Sequence, residues 1–80
     1  MAHRIDPQLA FGRAVSQLRE RERLSPERVA SRGGFSDRWL RDVEKGRANP
    51  TLANIRRVAS GLEVSLAELM QVTEELEQRY

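Results

Sequence analysis

The chain has 80 residues, no cysteine, and a formal net charge of +2 from 14 Lys and Arg against 12 Asp and Glu. That length suits one domain with a thin core, and the missing cysteine excludes a disulfide framework and a thiolate metal site. The longest stretch without a charged residue is the eight positions Ala48 to Ile55, too short to span a membrane as a helix.

Apolar residues recur at helical spacing, and no segment alternates with the period of a strand, so the expected class is all-α. Asp6-Pro7 opens a first helix, an N-cap followed by proline at the first helical position. This helix runs to about Glu22 with Phe11, Ala14, Val15 and Leu18 on one face. Ser25-Pro26 opens a short second helix that turns Val29 and Ala30 inward and ends at Gly33-Gly34. Ser36 caps a third helix ending at Gly46, with Leu40 and Val43 as its buried pair. Asn49-Pro50 makes a turn, and Thr51 caps a fourth helix holding Leu52, Ile55, Val58 and Ala59, with Gly61 near its end. Ser65-Leu66-Ala67-Glu68 has the pattern of a capping box and opens a fifth helix over about 65–80. Connections are short and no linker or repeat interrupts them, so residues 1–80 are expected to form a single domain.

Charge is unevenly placed. Residues 1–60 hold 13 of the 14 basic residues but only seven of the 12 acids, so an acidic tail follows a basic body. Such a chain can put one face on an anion and keep its other end away from it. An arginine-rich solvated surface has the same composition.

The informative spacing is Ala30-x3-Gly34-x5-Leu40-x2-Val43. Ala30 supplies the small residue where two steeply crossing helices meet, and Gly34 tolerates the positive φ of the tight turn. Leu40 and Val43 anchor the later helix, leaving Asp37, Arg38, Arg41, Asp42 and Lys45 on its outer face. A protruding polar helix of this kind fits the major groove, as in a helix-turn-helix over about 26–45. Arg38 and Arg41 are the better candidates for reading bases, because one guanidinium can bond guanine O6 and N7 together, with phosphate the alternative partner for one of the two.

From Phe11 to Leu69, the runs FGRAVSQLRE, LSPERVASRGGFSDRWLRDVEKGRANPTL and IRRVASGLEVSLAEL resemble the phage repressor and Cro-type (XRE) family of DNA-binding domains. The resemblance implies a compact five-helix, lambda-repressor-like domain whose third helix lies in the major groove of double-stranded DNA. It implies that Ser36, Asp37, Arg38, Arg41 and Asp42 face the DNA and that the loop Gly46-Arg47-Ala48-Asn49, with Arg47 and Asn49, approaches the backbone. It further implies a structural ion pair between Arg19 and Glu44. Trp39 falls at a family position that is often aromatic. Its indole either packs only, or packs on the Asn49-Pro50 loop while its N–H reaches a phosphate.

Three positions depart from the family pattern. Arg23 stands where glycine is usual before the second helix, and a positive φ there would cost on the order of 1 kcal/mol. Pro26 stands where a glutamine often touches phosphate, so that contact is lost or moves to Ser25 or Arg28. Asp37 puts a carboxylate at the tip of the reading helix, where it either accepts from cytosine N4 or simply favours the helix dipole. Arg56 and Arg57 read as solvated surface, and His3 as a lone tail residue.

In the fifth helix Leu66, Leu69, Met70, Thr73, Leu76 and Tyr80 share one broad face. Leu66 is expected to complete the core, and Leu69, Met70, Thr73, Leu76 and Tyr80 to extend past it as the seam of a homodimer. A single tail histidine, no cysteine and no phosphate-cradling glycine loop argue against an enzyme, and nothing in the chain asks for a metal or cofactor. The opening Met1-Ala2-His3-Arg4-Ile5-Asp6 lacks the apolar core of a signal peptide, so a cytoplasmic location is expected. Three roles remain open: a stand-alone transcriptional regulator similar to restriction–modification controller proteins, a DNA-binding antitoxin holding a toxin partner, and an adaptor that bridges proteins.

Overall fold

The computed structural model describes residues 5–79, with side chains for residues 5–78. His3 and Tyr80 lie outside them, and with Tyr80 one position of the expected seam. Five helices run in order: α1 (Pro7–Arg21), α2 (Pro26–Gly33), α3 (Asp37–Glu44), α4 (Leu52–Leu62) and α5 (Leu66–Arg79). There is no strand among the described residues, and no described helix is long and apolar enough to cross a membrane. The fold is the all-α, five-helix arrangement expected from the periodicity.

Polar caps explain most of the boundaries. The hydroxyls of Ser25, Ser36, Thr51 and Ser65 each accept from the backbone N–H three residues on, at 3.0–3.2 Å. Each satisfies one donor that the first helical turn cannot pair internally. Two expected devices are only half made. Asp6 precedes Pro7 at the start of α1, but its side chain makes no capping bond. The Glu68 carboxylate goes to Arg21 at 3.1 Å, so the capping role at α5 rests on Ser65.

Packing divides into two layers of contact. α1 lies against α5 and α3, while α2 lies against α4. Leu18, Leu40, Leu62, Leu69, Val15, Val29, Val43 and Val58 are the largest fully buried side chains. Each fully buried aliphatic side chain contributes about 1.5–3 kcal/mol before the opposing entropy. Leu52, placed on the inner face by spacing, is instead 69% exposed at the first position of α4, while Val58 further along the helix is buried.

α5 requires a larger correction. Leu69, Thr73 and Leu76 are 0%, 6% and 7% exposed within the single chain, so they close this chain's own core and do not extend beyond it. The long packing of α5 on α1 consumes that face, leaving Met70 as its exposed large apolar residue at 40%. Thr73 is tolerated inside because its hydroxyl donates to the Leu69 carbonyl oxygen at 2.8 Å.

Positive φ occurs at Gly34 (80°) and Gly46 (75°), and also at Arg23 (57°) and Glu63 (59°). Arg23 therefore keeps the left-handed backbone that the family's usual glycine would adopt freely. Arg23→Gly is expected to raise Tm by about 2–4 °C, because relieving about 1–2 kcal/mol of strain outweighs the roughly 0.4–1 kcal/mol cost of glycine's greater freedom in the unfolded chain. A thermal melt showing a lower Tm would contradict the strain.

Candidate nucleic-acid interface

α3 has eight residues, too few to be stable alone. Its position comes from both sides. Leu40 and Val43 are 0% and 1% exposed and set the inner face into the core. At its end, α3 comes so close to α1 that a Cβ on Gly12 would collide with the Val43 carbonyl oxygen and the Glu44 backbone. Beside this approach the Arg19 guanidinium meets the Glu44 carboxylate through two bonds, Nε–Oε2 at 2.8 Å and Nη2–Oε1 at 3.0 Å. Both side chains are only 16% exposed. The remaining nitrogen, Nη1, donates to the Leu24 carbonyl oxygen at 3.1 Å, so one residue ties α1, the turn before α2, and α3. The bond from Glu44 raises the Arg19 pKa above its already high ordinary value, with burial opposing. A raised basic group stabilises below its unfolded pKa and loses that stabilisation only as pH climbs through the folded one. Arg19 therefore remains charged across any ordinary pH range.

The turn leading into α3 is equally tight. Gly34 takes φ 80°, and the N–H groups of Gly34 and Phe35 both donate to the Ala30 carbonyl oxygen, at 2.9 and 3.0 Å. Ala30 itself is buried. Phe35 then packs edge-on against Trp39, centroids 5.0 Å apart and planes at 65°. Trp39 is half-buried on the core, and its ring partner is Phe35. The Asn49-Pro50 turn lines a different groove, with Pro7, Phe11, Ile55 and Met70.

With the inner face held this way, the outer face of α3 presents Arg38 and Arg41 to solvent, while Asp37 and Asp42 are half-buried. Ser36 stands at the N-cap, its oxygen accepting from the Trp39 N–H and its own O–H free to donate. Lys45 falls one residue past the helix, at the C-cap, and is exposed. Arg47 and Asn49 are exposed on the loop that follows, where the Arg47 N–H is held by the Asp42 carbonyl oxygen at 2.9 Å. Ser25 and Arg28 lie at the start of α2, and Pro26 fills its first position. That start shares a side with α3, because Glu27 of its first turn reaches to 3.9 Å from Arg41. Arg56 and Arg57 are exposed on α4, Arg57 donating to the Asn54 side chain at 3.4 Å.

Two features of this face had little or no signal in the sequence. The close approach at Gly12 is invisible in a helix pattern that reads glycine only as a weak helix former. Glu27 looks like an ordinary first-turn acid until the tertiary structure sets it beside Arg41.

Residues 10–72 match a family model described as a helix-turn-helix domain. The chain is 37% identical over 71 residues to an uncharacterized HTH-type transcriptional regulator, y4dJ, of Sinorhizobium fredii, covering 89% of this chain and 92% of the relative. It is 31% identical over 65 residues to the control protein C.MunI of a Mycoplasma species, covering 80% and 88% of the two chains. In three dimensions it is similar to the restriction-modification controller protein C.AhdI of Aeromonas hydrophila, with a TM-score of 0.74 and 32% identity over 78% of this chain and 94% of that one.

Arg19→Ala leaves the half-buried Glu44 carboxylate without its partner and should cost about 3 kcal/mol, lowering Tm by more than about 10 °C. Arg21→Ala removes only exposed ion pairs to Glu22 and Glu68 and should leave the melt nearly unchanged. Equal effects of the two substitutions would contradict the structural weight given to Arg19.

Proposed function

The chain belongs to the helix-turn-helix domain family, and on that footing we propose that it is a sequence-specific transcriptional regulator that seats α3 in the major groove of double-stranded DNA. The observation that carries this reading is the division of α3: Leu40 and Val43 are locked into the core while Arg38 and Arg41 project from the opposite side. A rod held on one side and cationic on the other matches what a groove about 12 Å wide accepts. Arg38 and Arg41 would reach base edges, and Asp37 and Asp42 flank them at half-buried positions. Ser25, Arg28, Ser36, Lys45, Arg47 and Asn49 would reach phosphate or sugar, which fixes register without reading sequence. Trp39, with Phe35 against it, would meet DNA only at its exposed edge. The family is one of binding domains, and no enzymatic role is assigned.

The relatives described as controller proteins support a regulatory role. We further read the active species as a homodimer. Its seam, in this reading, runs through the exposed Met70 and the groove it lines with Phe11, Pro50 and Ile55, and takes in the exposed Leu52 of α4. Burying such residues would enlarge a small core. A two-fold pair would set two α3 helices about 34 Å apart on a palindromic operator.

Selection from a random duplex pool tests specificity and spacing together. The expected product is an inverted repeat with half-site centres about 10–10.5 base pairs apart, and a pool without enrichment would overturn the assignment. On the selected duplex, Arg38→Ala or Arg41→Ala should relax preference at one base pair by about 1–3 kcal/mol. A uniform loss on all sequences would move that arginine to phosphate. Leu52→Glu with Met70→Glu should shift sedimentation from dimer to monomer, whereas a monomeric parent at tens of micromolar would remove the seam.

A further inference from the structure

One guanidinium on the outer edge of α3 has carboxylates from two helices beside it. Arg41 Nη2 lies 3.7 Å from Asp37 Oδ2, one turn back on α3, and 3.9 Å from Glu27 Oε2 in the first turn of α2. Both distances exceed a hydrogen bond. Arg41 therefore keeps its donors for an outside acceptor while it stands in the field of two anions. The three side chains are 60%, 44% and 63% exposed for Arg41, Asp37 and Glu27, so the pairs add little to stability. Their consequence is for whatever approaches from solvent.

We propose that Glu27 is a specificity-determining residue that, with Asp37, keeps Arg41 from serving as a phosphate contact and reserves it for a base edge. This rests on α3 entering the major groove as set out above. The three groups together carry one net negative charge, so a phosphate arriving at Arg41 meets repulsion where an isolated arginine would attract it. Guanine O6 and N7 are uncharged acceptors. They respond to the directional N–H groups, which remain available, and feel far less of the net charge. Arbitrary duplex is thereby penalised more than the matching one, and discrimination comes from weakening the wrong complex. Arg38 has no carboxylate within ion-pair distance among the described residues, so the two arginines of one helix differ in what they can bind.

The test is Glu27→Gln, which removes the charge and keeps the shape at an exposed position. Affinity is measured for the pool-selected duplex, for that duplex changed at the base pair read by Arg41, and for random competitor. Affinity for random competitor should rise about threefold, with a steeper salt dependence, while the selected duplex gains less and selectivity falls two- to threefold. In an Arg41→Gln background the same substitution should no longer alter selectivity at that base pair, a readout that a merely structural role would not move. Glu75→Gln on α5 should leave the ratio as it is in the parent. A gain that is equal on every duplex, or a loss of selectivity that persists in Arg41→Gln, overturns the proposal. A selective parent whose selectivity survives Glu27→Gln removes this proposal alone; a parent with no preferred duplex removes the reading of DNA itself, and this proposal with it.

Discussion

The outward face of this domain exists because the backbone of α3 comes directly against α1 at Gly12, with the Arg19–Glu44 pair closing the contact from the side. An eight-residue helix has neither the length nor the internal bonds to fix its own direction. Here its inner side is held by Leu40 and Val43, its end by the Val43–Glu44 backbone against Gly12, and its beginning by the Ser36 cap. Any side chain at Gly12 would have to push α3 away, and the two-bond geometry between Arg19 and Glu44 would be lost with it. The side chains available for recognition are exposed and individually weakly held. Their arrangement is therefore only as definite as the helix that carries them.

The ion pair contributes direction as well as energy. A purely apolar contact between α1 and α3 would tolerate sliding, because aliphatic surfaces have little angular preference. Two parallel N–H···O bonds between a guanidinium and a carboxylate do not. The third nitrogen of Arg19 is tied to the Leu24 carbonyl oxygen, so the turn before α2 is set by the same residue. The chain holds Arg23 at a φ of 57° in that turn, and the surrounding bonds from Arg23 N–H to Glu20 and from Leu24 N–H to Arg19, at 3.1 and 3.0 Å, keep it there. Strain at one residue is tolerated because the neighbours over-determine its conformation.

α5 serves a different purpose. Packed along α1, it covers the other side of the core with Leu69, Thr73 and Leu76 and carries most of the acidic residues of the last quarter of the chain. Acids thus outnumber basic residues on α5, while basic residues outnumber acids in the chain before it. The exception lies on the cationic face itself, where Glu27 and Asp37 bracket Arg41. In the proposed reading, that local reversal of sign would separate general attraction to an anionic polymer from attraction to one sequence of it.

Helix number, order and most boundaries were determined by the sequence alone, because caps, prolines and 3.6-residue spacing act within a few residues of one another. Ser25, Ser36, Thr51 and Ser65 each cap the helix that follows them, and Leu40 with Val43 marks the inner side of α3. The resemblance to a known family added the Arg19–Glu44 pair and the positive φ at Arg23. Only the tertiary structure decided how much of each apolar face was consumed: Leu69, Thr73 and Leu76 turned inward while Leu52 was left in solvent. It alone also brought Glu27 to Arg41 and made Gly12 a point of backbone contact. Periodicity reports which residues share a side of one helix. It carries no information on how far a neighbouring helix extends over that side, or on which residue from another element arrives there.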